Sequence, residues 1–442
     1  MTLIRRSAQP GVRDSAVYTA LWLFCLSAMI FVSIYAASRE LNLNASIFTL
    51  RFGFGPAIQG LIQQHRIGTP NETYGWWCYA SRMPLIPILG AISYTLSPKV
   101  GAFLILKNLL FWPIWIYAYL RLKHYYDISN KWALVPLVVL LLSPHTLSTA
   151  GKIEGEEGFL FSLLGLLFSL LVTMGAKPFS AVPAAATAAA VYLTKSSMLP
   201  LTLVVALWIC FKCRKDSAQS VLLPLAIIAL AILSWGSYTK AESGVFAFGA
   251  DSSSWNGWNL YKGNNPYAYA LYPRVNLDVL DDEDYAHRLL PFAPVHNEWE
   301  LSHAQVDLAQ KYIRENPGLV LKMDLKKLFV ACCDLGESPK IKAGPTRVGI
   351  IMSNAVSHLM VAFVVIAVAV NVFRRQVSEA EIVAVLLMCA YLLPYFAGFL
   401  YMRHLTPIYG VMVLASAIQL VNWQTRSLRL RVHSQALSGV SC

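Results

Sequence analysis

The chain has 442 residues, 56% of them hydrophobic and only 14% charged, with a mean hydropathy of +0.51. A soluble domain cannot hide that much apolar surface, so composition dictates a polytopic membrane protein. The formal charge of +12 does not indicate nucleic acid, because the cations sit in small groups at the ends of apolar runs, the pattern of topology signals.

Apolar runs able to cross a bilayer lie at 17–37, 100–120, 132–149, 158–174, 178–194, 197–211, 221–238, 349–373, 382–402 and 405–423. Several fall short of the roughly 20 residues of an ideal span, as packed or thinned regions allow. The first has no small-residue cleavage site behind it and reads as a retained helix. The run Pro84–Leu96 is shorter again and carries Pro84 and Pro87. Charge decides whether it crosses. If it does not, and the N-terminus is cytoplasmic, then Arg5, Arg6, Arg13, Arg121, Lys123, Lys131, Lys177, Lys212, Arg214, Lys215, Arg374, Arg375, Arg426, Arg429 and Arg431 all face the cytoplasm. The short external loops then keep Lys152, Lys195 and Arg403. The positive-inside rule therefore predicts ten spans, both termini inside, and 84–96 at the outer interface.

This divides the chain into an N-terminal transmembrane module, 1–238, with a first external loop at 38–99; an external region, 239–348; and C-terminal helices with a basic cytoplasmic tail, 349–442. Cytoplasmic loops are brief, so soluble chemistry belongs to the external face.

Ionisable residues in or beside spans are the functional candidates, because burying them is costly. Lys107, in GAFLILKNLLFWPIW, lies about two turns below the outer end of its helix: either its stem snorkels to the headgroups or its ammonium binds phosphate from the external surface. The turn TAGKIEGEEGFLF carries Glu154, Glu156 and Glu157 at the start of a span. Dipole complementarity accounts for one acid there; three suggest a base over an external cavity. Lys195 interrupts two apolar runs in VYLTKSSMLP, as an interfacial anchor or a phosphate ligand. Cys210-x-x-Cys213 has no second pair and reads as incidental. The segment WNLYKGNNPYAYALYP, 258–273, is polar and aromatic amid hydrocarbon; it either folds against the interface or faces sugar rings. The run Asp281-Asp282-Glu283-Asp284 reads as a solvated face. Pro317 after Asn316 marks one helix ending and the next beginning, and the second carries Lys322, Lys326 and Lys327. Arg403-His404, in YMRHLTPIYG, forms a tight external turn with a guanidinium suited to phosphate oxygens. No GxGxxG, Walker or zinc-ligand spacing is present.

Five stretches, RMPLIPIL, SPHTLSTAGKIEGEEGFLF, YLTKSSMLPL, WNLYKGNNPYA with ENPGLVLKMDLKKLF, and YMRHLTPIYG, carry a likeness that spans most of the chain. In them the chain resembles the integral-membrane glycosyltransferases of the GT-C fold, the group of protein O-mannosyltransferases and lipid A aminoarabinose transferases. The resemblance implies an all-α polytopic membrane protein of about ten transmembrane helices, with juxtamembrane helices and a mixed external loop. It implies an enzyme that transfers sugar from a polyprenyl-phosphate donor to a glycolipid, glycan or protein on the external face, with inversion. The expected membrane is a bacterial inner membrane with a periplasmic active site. Lys195, Arg403, Lys327, Lys107 and Arg82 are the expected phosphate-side residues; Trp258, Asn264, Asn265, Tyr267 and His404 would face sugar or acceptor. No cofactor beyond the lipid-linked donor is called for, and the residues are silent on a divalent metal.

One departure stands out. Such families place an acid early in the first external loop, yet here IFTLRFGFGPAIQG offers Arg51 and no acid. Glu40, Glu72 or the cluster around Glu156 must then supply the base, or the ordinary chemistry is lost. Rival readings are an envelope polysaccharide polymerase or ligase using polyprenyl-diphosphate glycans, and a transporter or non-catalytic lipid-glycan binder. The sequence shows no internal repeat of the transporter kind.

Overall fold

A computed structural model of the protein describes residues 12–51, 53–71, 75–79, 82–153, 155–175, 180–215, 217–249, 254–273, 277, 295–333 and 345–438. The protein is an all-α polytopic membrane protein. Among the described residues, seven helices are long and apolar enough to cross a bilayer, and an eighth span is possible as a bent pair.

The chain opens with α1 (Val12–Ser38) and α2 (Phe54–Gln64). A two-stranded hairpin follows, β1 (Thr69–Asn71) against β2 (Trp76–Cys78), and then α3 (Leu85–Leu96). Twelve residues make α3 about 18 Å long, too short to cross a hydrocarbon core of about 30 Å. Its exposed Ile88, Ile92 and Leu96 form one stripe at i, i+4 spacing, as an interfacial helix requires.

The long α4 (Val100–Tyr125) is followed by α5 (Asn130–Leu141) and α6 (Pro144–Gly151). The sequence reads 132–149 as one straight span, but the structure corrects this: α5 and α6 meet at a bend of 78°. Proline at the first position of α6 begins a new helix instead of continuing the old one. Freed backbone groups in apolar surroundings need partners. Ser33 Oγ donates to Leu147 O at 2.9 Å, Asn108 Nδ2 to Gly151 O at 3.2 Å, and the Lys107 ammonium to Ala150 O. At the other end the His145 N–H donates to Ser353 Oγ at 3.1 Å.

Next come α7 (Glu157–Val172), α8 (Val182–Thr194), α9 (Leu199–Cys213) and α10 (Ala218–Ser243). Region 239–348 holds α11 (Ser254–Gly263), α12 (Ala268–Leu271), α13 (Glu298–Glu315) and α14 (Pro317–Cys333), the last two divided at Asn316 as Pro317 predicts. Three helices close the chain: α15 (Pro345–Phe373), α16 (Glu379–Ala397) and α17 (Met402–Ser438).

The core lies where α17 and α7 cross beside α4. The spanning part of α17 is 89% buried against 28% for that of α1, so α17 is the central helix and α1 a peripheral one. Close approach depends on small residues: a Cβ on Gly165 of α7 would lie 2.6 Å from the Trp115 ring. Stacking of Trp115 on Tyr119, with centroids 5.7 Å apart, fills the neighbouring layer.

Residues that charge assigns to one face meet each other. At the end expected to be external, Lys152 pairs with Glu40 at 2.7 Å, Arg66 with Glu242 at 3.4 Å, and the Tyr79 N–H donates to Glu298 Oε1 at 3.0 Å. Among residues expected at the other end, Lys212 pairs with Glu379 at 2.7 Å.

Candidate functional site

Glu156 is the residue on which α7 begins, and it joins three distant parts of the chain. Its Oε1 accepts from Arg82 Nη1 at 3.2 Å, and its Oε2 faces Lys195 Nζ at 3.4 Å. Arg82 stands just before α3, its guanidinium 4.5 Å from the Phe54 ring centroid. Lys195 occupies the extended residue that separates α8 from α9. Burial pushes the Glu156 carboxyl up, but Lys195 and Arg82 outweigh it and hold the group below the usual carboxylate range. Burial likewise pulls Lys195 down, and Glu156 overrides it to keep the ammonium charged, above its ordinary value. In this state Glu156 is a doubly held anion, better suited to fixing two cations than to taking a proton.

A second group continues from Lys195. Its Nζ lies 5.4 Å from the Tyr395 ring centroid, and that ring stacks on His404 with centroids 4.6 Å apart. The Tyr391 hydroxyl donates to His404 O at 2.7 Å. Two N–H donors address the His404 ring: the Tyr401 backbone reaches Nδ1 at 3.2 Å, and Arg403 Nε stands 3.3 Å from Nε2. A neutral imidazole accepts at one nitrogen and donates from the other. Whichever nitrogen carries the proton, one of these donors faces another donor.

The WNLYKGNNPYAYALYP segment is fastened along residues 396–401, the turn that leads into Arg403. Asn264 Nδ2 donates to Ala397 O at 2.7 Å and the Tyr272 hydroxyl donates to Leu400 O; just beyond the segment, the Leu277 N–H donates to the Tyr401 hydroxyl at 2.7 Å. Lys327, fully buried, reaches Phe396 O at 2.5 Å and Asp324 Oδ1 at 2.9 Å. Burial pushes Lys327 down and Asp324 opposes this. Lys326 donates to Tyr269 O at 2.6 Å. Asn265 caps its own turn, accepting from the Tyr267 and Ala268 N–H groups at 2.9 and 3.0 Å. The amides that the sequence reads as sugar-facing are thus spent on backbone, and both asparagines are buried. Tyr267 and Trp258 are half-buried beside them.

Other candidates lie elsewhere. Lys107 neither snorkels nor opens to the external surface: it is 1% exposed and braces α6 through Ala150 O. Gly158 makes the room, since a Cβ there would sit 2.5 Å from Lys107 Nζ. Glu40 is engaged in its exposed pair with Lys152, outside the Glu156 cluster. Glu72, Glu154 and the acidic run 281–284 lie outside the described residues. Among the described residues no group of three or more His, Cys, Asp or Glu side chains could hold a metal.

Sequence reasoning missed Tyr391, Tyr395 and Lys262. The tyrosines share one face of α16 at i, i+4 spacing, but within an apolar run they read as core. Lys262 is 1% exposed, with its Nζ 5.5 Å from the Trp258 centroid and 4.8 Å from that of Phe399. Burial, aided by the charge of Arg403, pushes it down to about 7. Its signal was being the one cation inside the aromatic segment.

No family model and no curated protein matches the chain. Solved structures do. An archaeal oligosaccharyltransferase, AglB from Archaeoglobus fulgidus in complex with an inhibitory peptide and a dolichol-phosphate, superposes with TM-score 0.53 at 11% identity, covering 96% of this chain and 52% of its own. The Archaeoglobus fulgidus oligosaccharyltransferase in the apo form gives 0.53 at 12%, covering 97% and 53%. ArnT from Cupriavidus metallidurans bound to undecaprenyl phosphate lies further off, at 0.35 and 13%, covering 93% and 79%. The chain spans about half the length of the oligosaccharyltransferases it matches. At such identity the likeness is one of architecture: the protein has the GT-C fold of integral-membrane glycosyltransferases.

Proposed function

We propose that the protein transfers a sugar from a polyprenyl-phosphate donor to a glycolipid, glycan or protein acceptor at the external face of a bacterial inner membrane. The observation that carries this is the convergence of Lys195 and Arg403 on the stacked Tyr395–His404 pair. The fold adds support, since the archaeal oligosaccharyltransferase that shares it was solved with a dolichol-phosphate.

In this reading the acceptor hydroxyl attacks the anomeric carbon while the bond from that carbon to the phosphate oxygen breaks. The phosphate leaves with the bonding pair, and Lys195 and Arg403 meet the charge that develops on it. A donor phosphate competes with Glu156 for Lys195. Once Lys195 turns to the phosphate, Glu156 keeps Arg82 alone, its basicity rises, and it takes the acceptor proton. One displacement inverts the configuration.

The test is release of free polyprenyl phosphate by the purified protein in nanodiscs, across a panel of polyprenyl-phosphate sugars with extracted membrane glycolipids as acceptor. One donor should support release, and Arg403→Ala and Lys195→Ala should each lower the rate by roughly 10²-fold or more. No release with any donor sinks the proposal.

A further inference from the structure

Lys195 has a loose hold on Glu156. Its Nζ stands 3.4 Å from Oε2, against 2.7 Å in the more exposed pairs Lys152–Glu40 and Lys212–Glu379. A charge-assisted bond settles at about 2.7–2.9 Å, so this ammonium is only partly drawn to its carboxylate. It also faces Tyr395, 5.4 Å from the ring centroid. Counting protons fixes what the Tyr395 hydroxyl can offer it. A phenol has one O–H to give. Tyr391 gives its own to His404 O at 2.7 Å, since a carbonyl can only accept. In the 3.3 Å contact between the two hydroxyls, Tyr395 is therefore the donor and Tyr391 the acceptor. Both protons are committed toward the His404 backbone, and the Tyr395 oxygen is left with lone pairs. A phosphate oxygen, itself an acceptor, gains nothing from it; an ammonium with three donors does. Stacking on His404, with centroids 4.6 Å apart, needs only the ring, and phenylalanine would supply that. Both tyrosines are buried, so the hydroxyls are costly unless they serve.

We propose that Tyr395 is a positioning residue whose hydroxyl is the second seat of the Lys195 ammonium, accepting one N–H as Lys195 leaves Glu156. The remaining N–H groups are then aimed at the donor phosphate. The inference rests on the sugar-transfer reading above and deepens it by giving the phenol pair a task. Tyr391 takes the Tyr395 proton and thereby keeps that oxygen an acceptor.

Binding of farnesyl phosphate and of farnesol to the full chain in nanodiscs of zwitterionic lipid tests it. Tyr395→Phe should weaken farnesyl phosphate binding by roughly tenfold, the worth of a hydrogen bond to a charged group, and leave farnesol binding unchanged. The deciding comparison uses a Lys195→Met background, in which Glu156 still has Arg82 at 3.2 Å. There Tyr395→Phe should have no further effect, because a residue that acts through Lys195 has nothing left to position. A loss that persists in that background means the hydroxyl meets the phosphate itself or merely packs, and overturns the inference. So does an equal loss for farnesol, or full binding in Tyr395→Phe while Lys195→Met loses it. If Lys195→Met binds farnesyl phosphate as wild type does, the donor reading fails first and carries the inference with it. Should Tyr395→Phe not fold, Tyr391→Phe breaks the same chain one link further on. Its loss should likewise vanish without Lys195, and a loss that stays overturns the inference.

Discussion

At the scale of single residues, Glu156 decides how the ends of three helices are held together. Arg82, Glu156 and Lys195 come from separate loops, and their side chains are 13%, 13% and 22% exposed, so the two ion pairs are screened little by water. Removing one partner of such a group leaves buried charge uncompensated, at a cost of about 3–5 kcal/mol. Glu156→Gln should therefore lower the apparent Tm in detergent by several degrees at neutral pH. The pH profile separates this from simple packing loss. The folded state holds Glu156 below its ordinary value of 4.5, so its stabilisation is present above that pH. It is lost as pH falls through the lower, folded value, where the native state must be protonated to match the unfolded one. Wild type should lose Tm steeply on that acid side, and the variant should lack this part of the slope. Parallel profiles would show that the carboxylate charge contributes nothing. Glu156 itself was legible in the sequence as an acid at a helix start. Its two partners were named only separately, because no spacing along the chain reveals that residues 82, 156 and 195 meet.

At the scale of elements, region 239–348 works as a clamp on one turn. The bonds from Asn264, Tyr272 and Lys327 all end on carbonyls between Phe396 and Leu400, three to seven residues before Arg403. On the proposed function, that geometry makes Asn264 a positioning residue. Asn264→Ala should weaken farnesyl phosphate binding by roughly tenfold, the cost of misplacing one charged ligand. Asn297 is the control, since its side chain caps α13 by accepting from the Trp299 and Glu300 N–H groups at 3.0 Å each, a purely structural task. Asn297→Ala should cost about 1 kcal/mol of stability and leave phosphate binding as it was. Equal effects of the two variants on binding would remove the clamp. The aromatic segment was visible as an oddity, but its docking site was not: polar residues beside tyrosines fit a sugar cleft and a hydrogen-bonded buttress equally well until the partners are seen. The α5–α6 break was hidden for a related reason. Hydrophobicity continues through Ser143-Pro144, and only the hydroxyl-rich PHTLSTAG hints that the backbone there needs side-chain partners from α1, α4 and α15.

At the scale of the whole molecule, the apolar runs and the charge asymmetry were the readable part, because hydrocarbon content and the placement of lysine and arginine are local properties. They predicted ten crossings. Among the described residues the ten runs fall on seven helices long enough to cross, the bent pair, and the shorter apolar α7 and α8, so seven or eight of the ten are long enough to span. The orientation matters for chemistry as much as for architecture. Nucleotide sugars are cytoplasmic, so on the proposed orientation the site would draw on a donor already carried across on a lipid. Cys332 is exposed at the end of α14, close to where the chain returns to α15, and Lys212 pairs with Glu379 at the other end of the bundle. In a background without other cysteines, a membrane-impermeant maleimide applied to intact spheroplasts should label Cys332 at once. Lys212→Cys should react only after permeabilisation. The reverse pattern would turn the Glu156–Lys195–Arg403 mouth toward the cytoplasm, where soluble donors abound, and would remove the reason for a lipid-linked one.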